Sequence, residues 1–247
     1  MTEQPNTDRD QAARPLAGRL VLVTGASRGI GAATAEAVAL MGAHVILTAR
    51  TTADMEAVEE RIHAAGGSAT IAPLDLTDGE SIGRLATAVG GRWQQLDALV
   101  LNAATLGTLS AVPAIDPKEF ARLLTLNVGA QQALIAAFDP MLRAARPGRL
   151  IAVTSSVGAT PRAFWGAYGA SKAALETLVA AYGEENRNLG GVHVAIVDPG
   201  ATRTTMRARA FPGEDPQTVK DPAVVGARIA ALIANGFETG HRERVDG

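Results

Sequence analysis

Short apolar runs, rich in β-branched residues and closed by polar or turn residues, recur along the chain with a helical pattern between one and the next. RLVLVT (19–24), HVILT (44–48), ATIAP (69–73), DALVLN (97–102), RLIAVT (149–154) and VHVAIV (192–197) have the length and composition of buried strands. The intervening segments begin as helices begin. Thr77 with Glu80 reads as a capping box, Asp116 precedes Pro117 with Glu119 at the third position, and Asp221 precedes Pro222. Gly42, Gly66 and Gly190 stand where helices stop. A strand that feeds a helix and returns as a parallel strand crosses over right-handed, so the repeated alternation builds a parallel sheet covered on both faces. The expected fold is α/β, a doubly wound parallel sheet with helices on both faces, in a single domain. Ligands of such sheets bind beyond the carboxyl ends of the strands, so the residues after each strand are the ones to read for chemistry.

At 247 residues the chain is long enough for one large domain, expected over 18–247. Residues 1–17 are mostly polar and lack periodicity, and are expected to be a disordered extension. A formal net charge of -2 gives the molecule as a whole no attraction to nucleic acid or anionic membrane, and no apolar run reaches membrane-spanning length. With no signal-peptide pattern at the start, the expected location is the cytoplasm. Cysteine is absent, which removes disulfides, thiolate nucleophiles and cysteine-based zinc sites together. His44, His63, His193 and His241 are scattered without ligand spacing, so no metal site is expected.

After the first run comes TGASRGIGAATAEAV, with Gly25, Gly29 and Gly31 spaced G-x-x-x-G-x-G ahead of a helix that runs to about Met41. The spacing differs from G-x-G-x-x-G and lacks the G-K-[ST] of a P-loop. A glycine turn between strand and helix still lets backbone N–H groups approach a pyrophosphate, with the helix N-terminus adding positive potential. The candidates are Gly25, Ser27, Arg28, Gly29, Ile30 and Gly31; the plain alternative is a tight packing turn. The second run ends VILTAR, with Arg50 and no acid, and Arg28 projects from the glycine loop. A free ribose 2′-OH is commonly held by an acid at that point, whereas a 2′-phosphate takes a cation, and two guanidiniums would grip it by charge-assisted bonds. The expected cofactor is NADP(H) rather than NAD(H).

Asp75 follows the third run, Asn102 the fourth, and Ser155 with Ser156 the fifth. Asn127 sits amid apolar positions of the helical pattern DPKEFARLLTLNVGAQQALIAAF, where a side-chain amide must find partners. In GAYGASKAALETL (166–178), Tyr168 and Lys172 lie one helical turn apart on one face.

Taken in order, TGASRGIG, LNAA, Asn127, SS...YGASK and DPGATRT resemble the classical short-chain dehydrogenases/reductases, from about residue 18 to near the C-terminus. The resemblance implies a Rossmann-type sheet of about seven strands, assembly as a homodimer or homotetramer, and a tetrad on Asn127, Ser155, Tyr168 and Lys172. Family spacing to the tyrosine selects Ser155, with Ser156 as runner-up. It also implies Asp75 near the adenine, Asn102 near the adenosine ribose, and Gly200, Thr202 and Thr204 near the nicotinamide carboxamide, with a lid at about 200–220. Two departures stand out. Ala104 replaces the glycine usual at the end of the fourth-strand motif, and ETGHRERVDG is charged where an apolar strand is usual, which leaves the seventh strand and any interface built on it open.

Hydride exchange between nicotinamide and a carbonyl or secondary alcohol needs a group that gives or takes a proton. A phenol with a pKa of about 10 is a poor base near neutrality. An ammonium about 4 Å away at an effective dielectric of roughly 20 favours phenolate by about 4 kcal/mol, or about 3 pKa units. Tyr168 is therefore expected as a general acid/base tuned down by Lys172. The resemblance places Tyr168 and Lys172 also against the cofactor, Lys172 on the nicotinamide ribose, Ser155 on the substrate carbonyl, and Asn127 on a water that relays protons to Lys172. Phe164, Trp165 and Met206 are expected as an apolar wall, and Arg203, Arg207 and Arg209 either as partners of an anionic group or as solvent-facing charges of the lid. The expected function is an NADP(H)-dependent oxidoreductase acting on a small carbonyl or alcohol. The alternative is a noncatalytic nucleotide-binding or regulatory protein on the same fold, against which the presence of the whole tetrad counts.

Overall fold

The computed structural model describes residues 14–246. Its strands are β1 (Leu20–Thr24), β2 (His44–Ala49), β3 (Ser68–Pro73), β4 (Ala98–Leu101), β5 (Gly148–Val153), β6 (Val192–Asp198) and β7 (His241–Arg244). They form one 7-stranded sheet in the order β3-β2-β1-β4-β5-β6-β7, with every neighbouring pair parallel. The helices are α1 (Gly29–Leu40), α2 (Thr52–Ala64), α3 (Gly79–Gly90), α4 (Pro117–Leu124), α5 (Ala130–Ala145), the short α6 (Ser156–Ala159), α7 (Gly166–Arg187), the short α8 (Thr205–Ala210) and α9 (Pro222–Asn235). Each expected apolar run forms a strand, and the doubly wound α/β domain is the one expected.

β1 is buried throughout, as a central parallel strand must be, and the alternation of its side chains divides the core in two. Val21 and Val23 join α1 and α9 on one face through Val38, Val225 and Ile229. Leu20 and Leu22 join α5 and α7 on the other through Leu134, Phe138 and Val179. α1 and α9 meet at backbone distance, because a Cβ on Gly226 would lie 2.5 Å from the Ala33 carbonyl carbon.

Helix starts follow the sequence with one correction. Asp116 accepts the Glu119 N–H (2.7 Å) and Asp221 the Ala223 N–H (2.8 Å), as caps do. The cap of α3 is Asp78, which accepts the Glu80 N–H (3.1 Å), and not Thr77. Thr77 instead gives its N–H and hydroxyl to Asp75 (2.9 and 2.7 Å), a shorter loop that a free aspartate forms more readily. The expected single helix around Asn127 is interrupted by a π-helical segment, Thr125–Gly129, between α4 and α5.

The chain joins the fold ahead of residue 18: Leu16 is 1% exposed and donates its N–H to the Met41 carbonyl (2.9 Å). Residues 1–13 of the expected extension lie outside the described residues. At the far edge the seventh strand forms in spite of its charges, because each finds a partner. Glu243 takes Arg228 (2.7 and 2.6 Å) and His241 (2.8 Å), and Arg242 reaches Glu176 of α7 (2.7 Å). Charged side chains also protect an edge from pairing with another sheet. Among the described residues no helix is long and apolar enough to cross a membrane.

The α1–α9 contact yields a stability test. Gly226→Ala should lower the unfolding free energy in urea by about 1–3 kcal/mol through overpacking. Gly213→Ala, where an added methyl meets nothing within 4 Å, should change it by less than about 0.5 kcal/mol.

Candidate active site

Strand order reverses between β1 and β4, and at such a switch point the crossovers part and leave a crevice beyond the carboxyl ends. A cavity of about 380 Å³ fills it. Thr24, the last residue of β1, closes the floor: its hydroxyl donates to the Val100 carbonyl (3.0 Å) and accepts the N–H groups of Asn102 (2.9 Å) and Ala103 (3.0 Å). The Asn102 amide returns the bond to the carbonyls of Thr24 (2.9 Å) and Gly25 (3.3 Å). Gly25 and Gly29 adopt φ of +65° and +58°, conformations that favour glycine, and they turn the loop into α1.

Gly25, Ser27, Arg28, Gly29 and Ile30 line the cavity, together with Arg50, Asp75 and Asn102. Gly31 does not. A Cβ there would lie 2.2 Å from the Gly25 carbonyl oxygen, so this glycine serves the packing of turn against helix. Arg28 and Arg50 make no ion pair among the described residues. The Thr77 N–H and hydroxyl, and then Arg50, hold the Asp75 carboxyl below its ordinary range. Ala104, in place of the usual glycine, also lines the cavity with its φ outside the left-handed region, so its methyl brings no backbone strain.

The other wall comes from β5, α7 and the segment after β6. Ser155, Tyr168 and Lys172 line it, as do Gly200, Thr202 and Thr204. Of the paired serines Ser155 lies on the wall and Ser156 does not. Lys172 is 3% exposed; its ammonium donates to the Val153 carbonyl (2.9 Å) and sits 5.8 Å from the centre of the Tyr168 ring. Asn127 is fully buried and stands off the wall. Its Oδ1 accepts the Thr105 N–H (2.8 Å), and its amide donates to the Thr105 carbonyl (2.9 Å) and to Ser171 (3.0 Å), whose hydroxyl donates to the Tyr168 carbonyl (2.7 Å). With both amide hydrogens taken, Asn127 fixes the β4 loop against α7.

The expected downward tuning of Tyr168 is overturned. Burial pushes the phenol above its ordinary value, and Asp198 adds to the rise. Desolvation acts on both partners: burial lowers Lys172 from 10.5 to about 8, with Glu176 pulling the other way. Burial thus works against the charged form of both groups, the phenolate of Tyr168 and the ammonium of Lys172.

The 200–220 segment is pinned at its base, where the Arg203 N–H donates to the Lys220 carbonyl (2.8 Å), and α8 leans over the phenol with the Met206 sulfur 3.8 Å from its hydroxyl. Trp165 and Met206 line the cavity as expected, with Leu106 and Ala210 beside them. Phe164 departs from expectation: it is 61% exposed and off the wall. Arg203 pairs with Asp221, and Arg207 pairs with Glu214 while stacking 3.8 Å from the centre of Phe211. Arg209 lines the cavity and has no ion pair among the described residues. Two residues passed over in the sequence matter. Gln131 donates to the Ala103 carbonyl (3.1 Å) and steadies the β4 loop; Glu176 continues the Tyr168–Lys172 stripe by one more turn, a spacing that would have revealed it.

Residues 19–215 match the family model described as short chain dehydrogenase. The uncharacterized oxidoreductase YciK of Escherichia coli strain K12 is 37% identical over 208 residues, covering 83% of this chain and 82% of that protein. The crystal structure of a short chain dehydrogenase from Salmonella enterica serovar Typhi superposes with a TM-score of 0.90 at 33% identity, covering 99% of this chain and 100% of the other. That of a metagenomic short-chain oxidoreductase in complex with NADP gives 0.81 at 33% identity, covering 94% and 100%. The chain belongs to the short chain dehydrogenase family and is an oxidoreductase of that class.

The depressed lysine has a thermodynamic signature. Folding places the ammonium where it binds its proton less firmly, so below about pH 8 the charge costs stability, and the cost fades as pH rises toward 10.5. Lys172→Met should therefore be more stable than the wild type at pH 7 by about 1–3 kcal/mol in urea unfolding, with the gap closing as the pH is raised through that window.

Proposed function

We propose that the chain is an NADP(H)-dependent oxidoreductase that reduces a carbonyl to a secondary alcohol, with Tyr168 as the proton donor. The observation that carries the reading is one cavity whose wall takes in the glycine turn, Arg28 and Arg50 on one side and Ser155, Tyr168 and Lys172 on the other. Glycine backbone open to the cavity fits a pyrophosphate, and two guanidiniums without ion pairs among the described residues fit a 2′-phosphate. A structural relative at 33% identity is complexed with NADP, which supports the same choice here. When bound, NADPH supplies the hydride.

The chain's own groups do the rest. Ser155 and Tyr168 bracket the carbonyl oxygen by hydrogen bonds, and Tyr168 delivers its proton to that oxygen as the carbon accepts hydride, so C=O becomes CH–OH. Lys172 acts at this moment rather than before it: its ammonium stabilises the phenolate left behind, where charge develops in a dry site. Leu106, Trp165, Met206 and Ala210 pack in one cluster with Tyr168, the Met206 sulfur 3.8 Å from its hydroxyl, so the groups flanking the carbonyl are apolar. Burying an ammonium costs stability that a protein binding nucleotide without turnover would have no reason to bear, which favours the enzyme over the noncatalytic reading.

NADPH consumption across a panel of ketones, quinones and acyl thioester β-ketones tests this. Tyr168→Phe should lose about 10²-fold or more of kcat on any substrate found. Arg50→Ala should weaken NADPH about tenfold or more, by loss of a charged hydrogen bond, and leave NADH unchanged. Full activity of the phenylalanine variant, or equal loss of both nucleotides, would contradict the assignment.

A further inference from the structure

One carboxylate near the site has no part in the chemistry above. Glu176 follows Lys172 by four residues on α7, and its side chain is 13% exposed. Both of its oxygens are claimed. Oε1 accepts the hydroxyl of Thr154, the residue before Ser155, and Oε2 accepts from the Arg242 guanidinium (2.7 Å) on β7. The short α6 closes over it: a Cβ on Gly158 would lie 3.1 Å from Oε1. A charge so enclosed acts across little water, and the cation one turn away is Lys172. The titratable and charged groups around the pair are Tyr168 and Glu176 from α7, Asp198 from β6, and Arg242 with Arg244 from β7, where Arg244 lies 3.9 Å from Asp198.

We propose that Glu176, clamped between Thr154 and Arg242, is a positioning residue that keeps Lys172 cationic, and that the charged seventh strand is thereby coupled to the proton-donating pair. The mechanistic meaning rests on the reading of Lys172 as the cation that supports Tyr168; the electrostatic coupling itself does not. The two sides of the clamp act with opposite sign. The carboxylate holds the proton on Lys172 against the pull of burial, and Arg242 offsets part of the carboxylate's field.

The lysines of the chain are Lys118, Lys172 and Lys220, so ¹³Cε-lysine NMR gives a spectrum simple enough to follow, with the Lys172 signal assigned by its absence from Lys172→Met. Glu176→Gln should move the Lys172 titration midpoint down by about one pH unit, and Glu176→Asp should restore most of it. Arg242→Gln, at a half-exposed position on an edge strand, should move the midpoint up, and it serves if the glutamine variant does not fold. The alkaline limb of kcat/KM for carbonyl reduction should shift in the same directions. Midpoints unmoved in the Glu176 and Arg242 variants, whatever happens to kcat, would reduce Glu176 to a structural role and overturn the proposal. Midpoints that move while no carbonyl is reduced with NADPH would sustain the coupling and refute the functional reading instead.

Discussion

The Thr24 hydroxyl is the smallest group on which the architecture turns. At the one place where strand order reverses, two neighbouring parallel strands send their chains apart, and nothing in the sheet ladder holds their exits together. Thr24 does so with its donor and both acceptor positions, bonding Val100, Asn102 and Ala103 across the gap. The Asn102 amide then ties the glycine turn to the same spot, and Gly31 lets α1 come close enough to complete it. Farther along the β4 loop, Gln131 and Asn127 take the carbonyls of Ala103 and Thr105 from the helices behind. The floor of the cavity is thus a set of buried polar groups that are paired save for the Gln131 Oε1, which finds no partner among the described residues, and such groups are costly to leave unpaired.

Above that floor the electrostatics run against simple pairwise expectation. Coulomb attraction alone would make the phenol beside Lys172 acidic. For groups this buried, charging either partner costs more than in water, so burial raises Tyr168 and lowers Lys172 together. The result suits a proton donor whose phenolate is stabilised only as it forms. Such a pair is stored at the expense of stability, a familiar trade at functional sites.

Much of the fold was legible because its signals are local. Apolar runs of strand length, Asp116 and Asp221 as caps, and the glycines after helices each follow from near-neighbour chemistry. The glycine turn, Arg28, Arg50, Ser155, Tyr168 and Lys172 gather at one cavity because strand ends in this topology converge, which the alternation already implied. What could not be read turns on competition within a turn and on groups brought together by the fold. Thr77 lost the cap of α3 to Asp78 because Asp75 engages it from the preceding turn. Gly31 and Asn127 act behind the wall, in packing and bracing that only the folded loop reveals. The charged seventh strand looked unsuited to a sheet until Glu176, Arg228 and Asp198 supplied its partners from three other elements.

Tyr168 and Tyr182 are the tyrosines of the chain, so a Tyr182→Phe variant isolates the phenol on which the account rests. Its tyrosinate absorbance, followed as the pH is raised, should stay silent past the ordinary tyrosine value near 10. A tyrosinate signal emerging between about pH 7 and 9 would mean that Lys172 wins over burial, and would contradict a protonated Tyr168 as the donor.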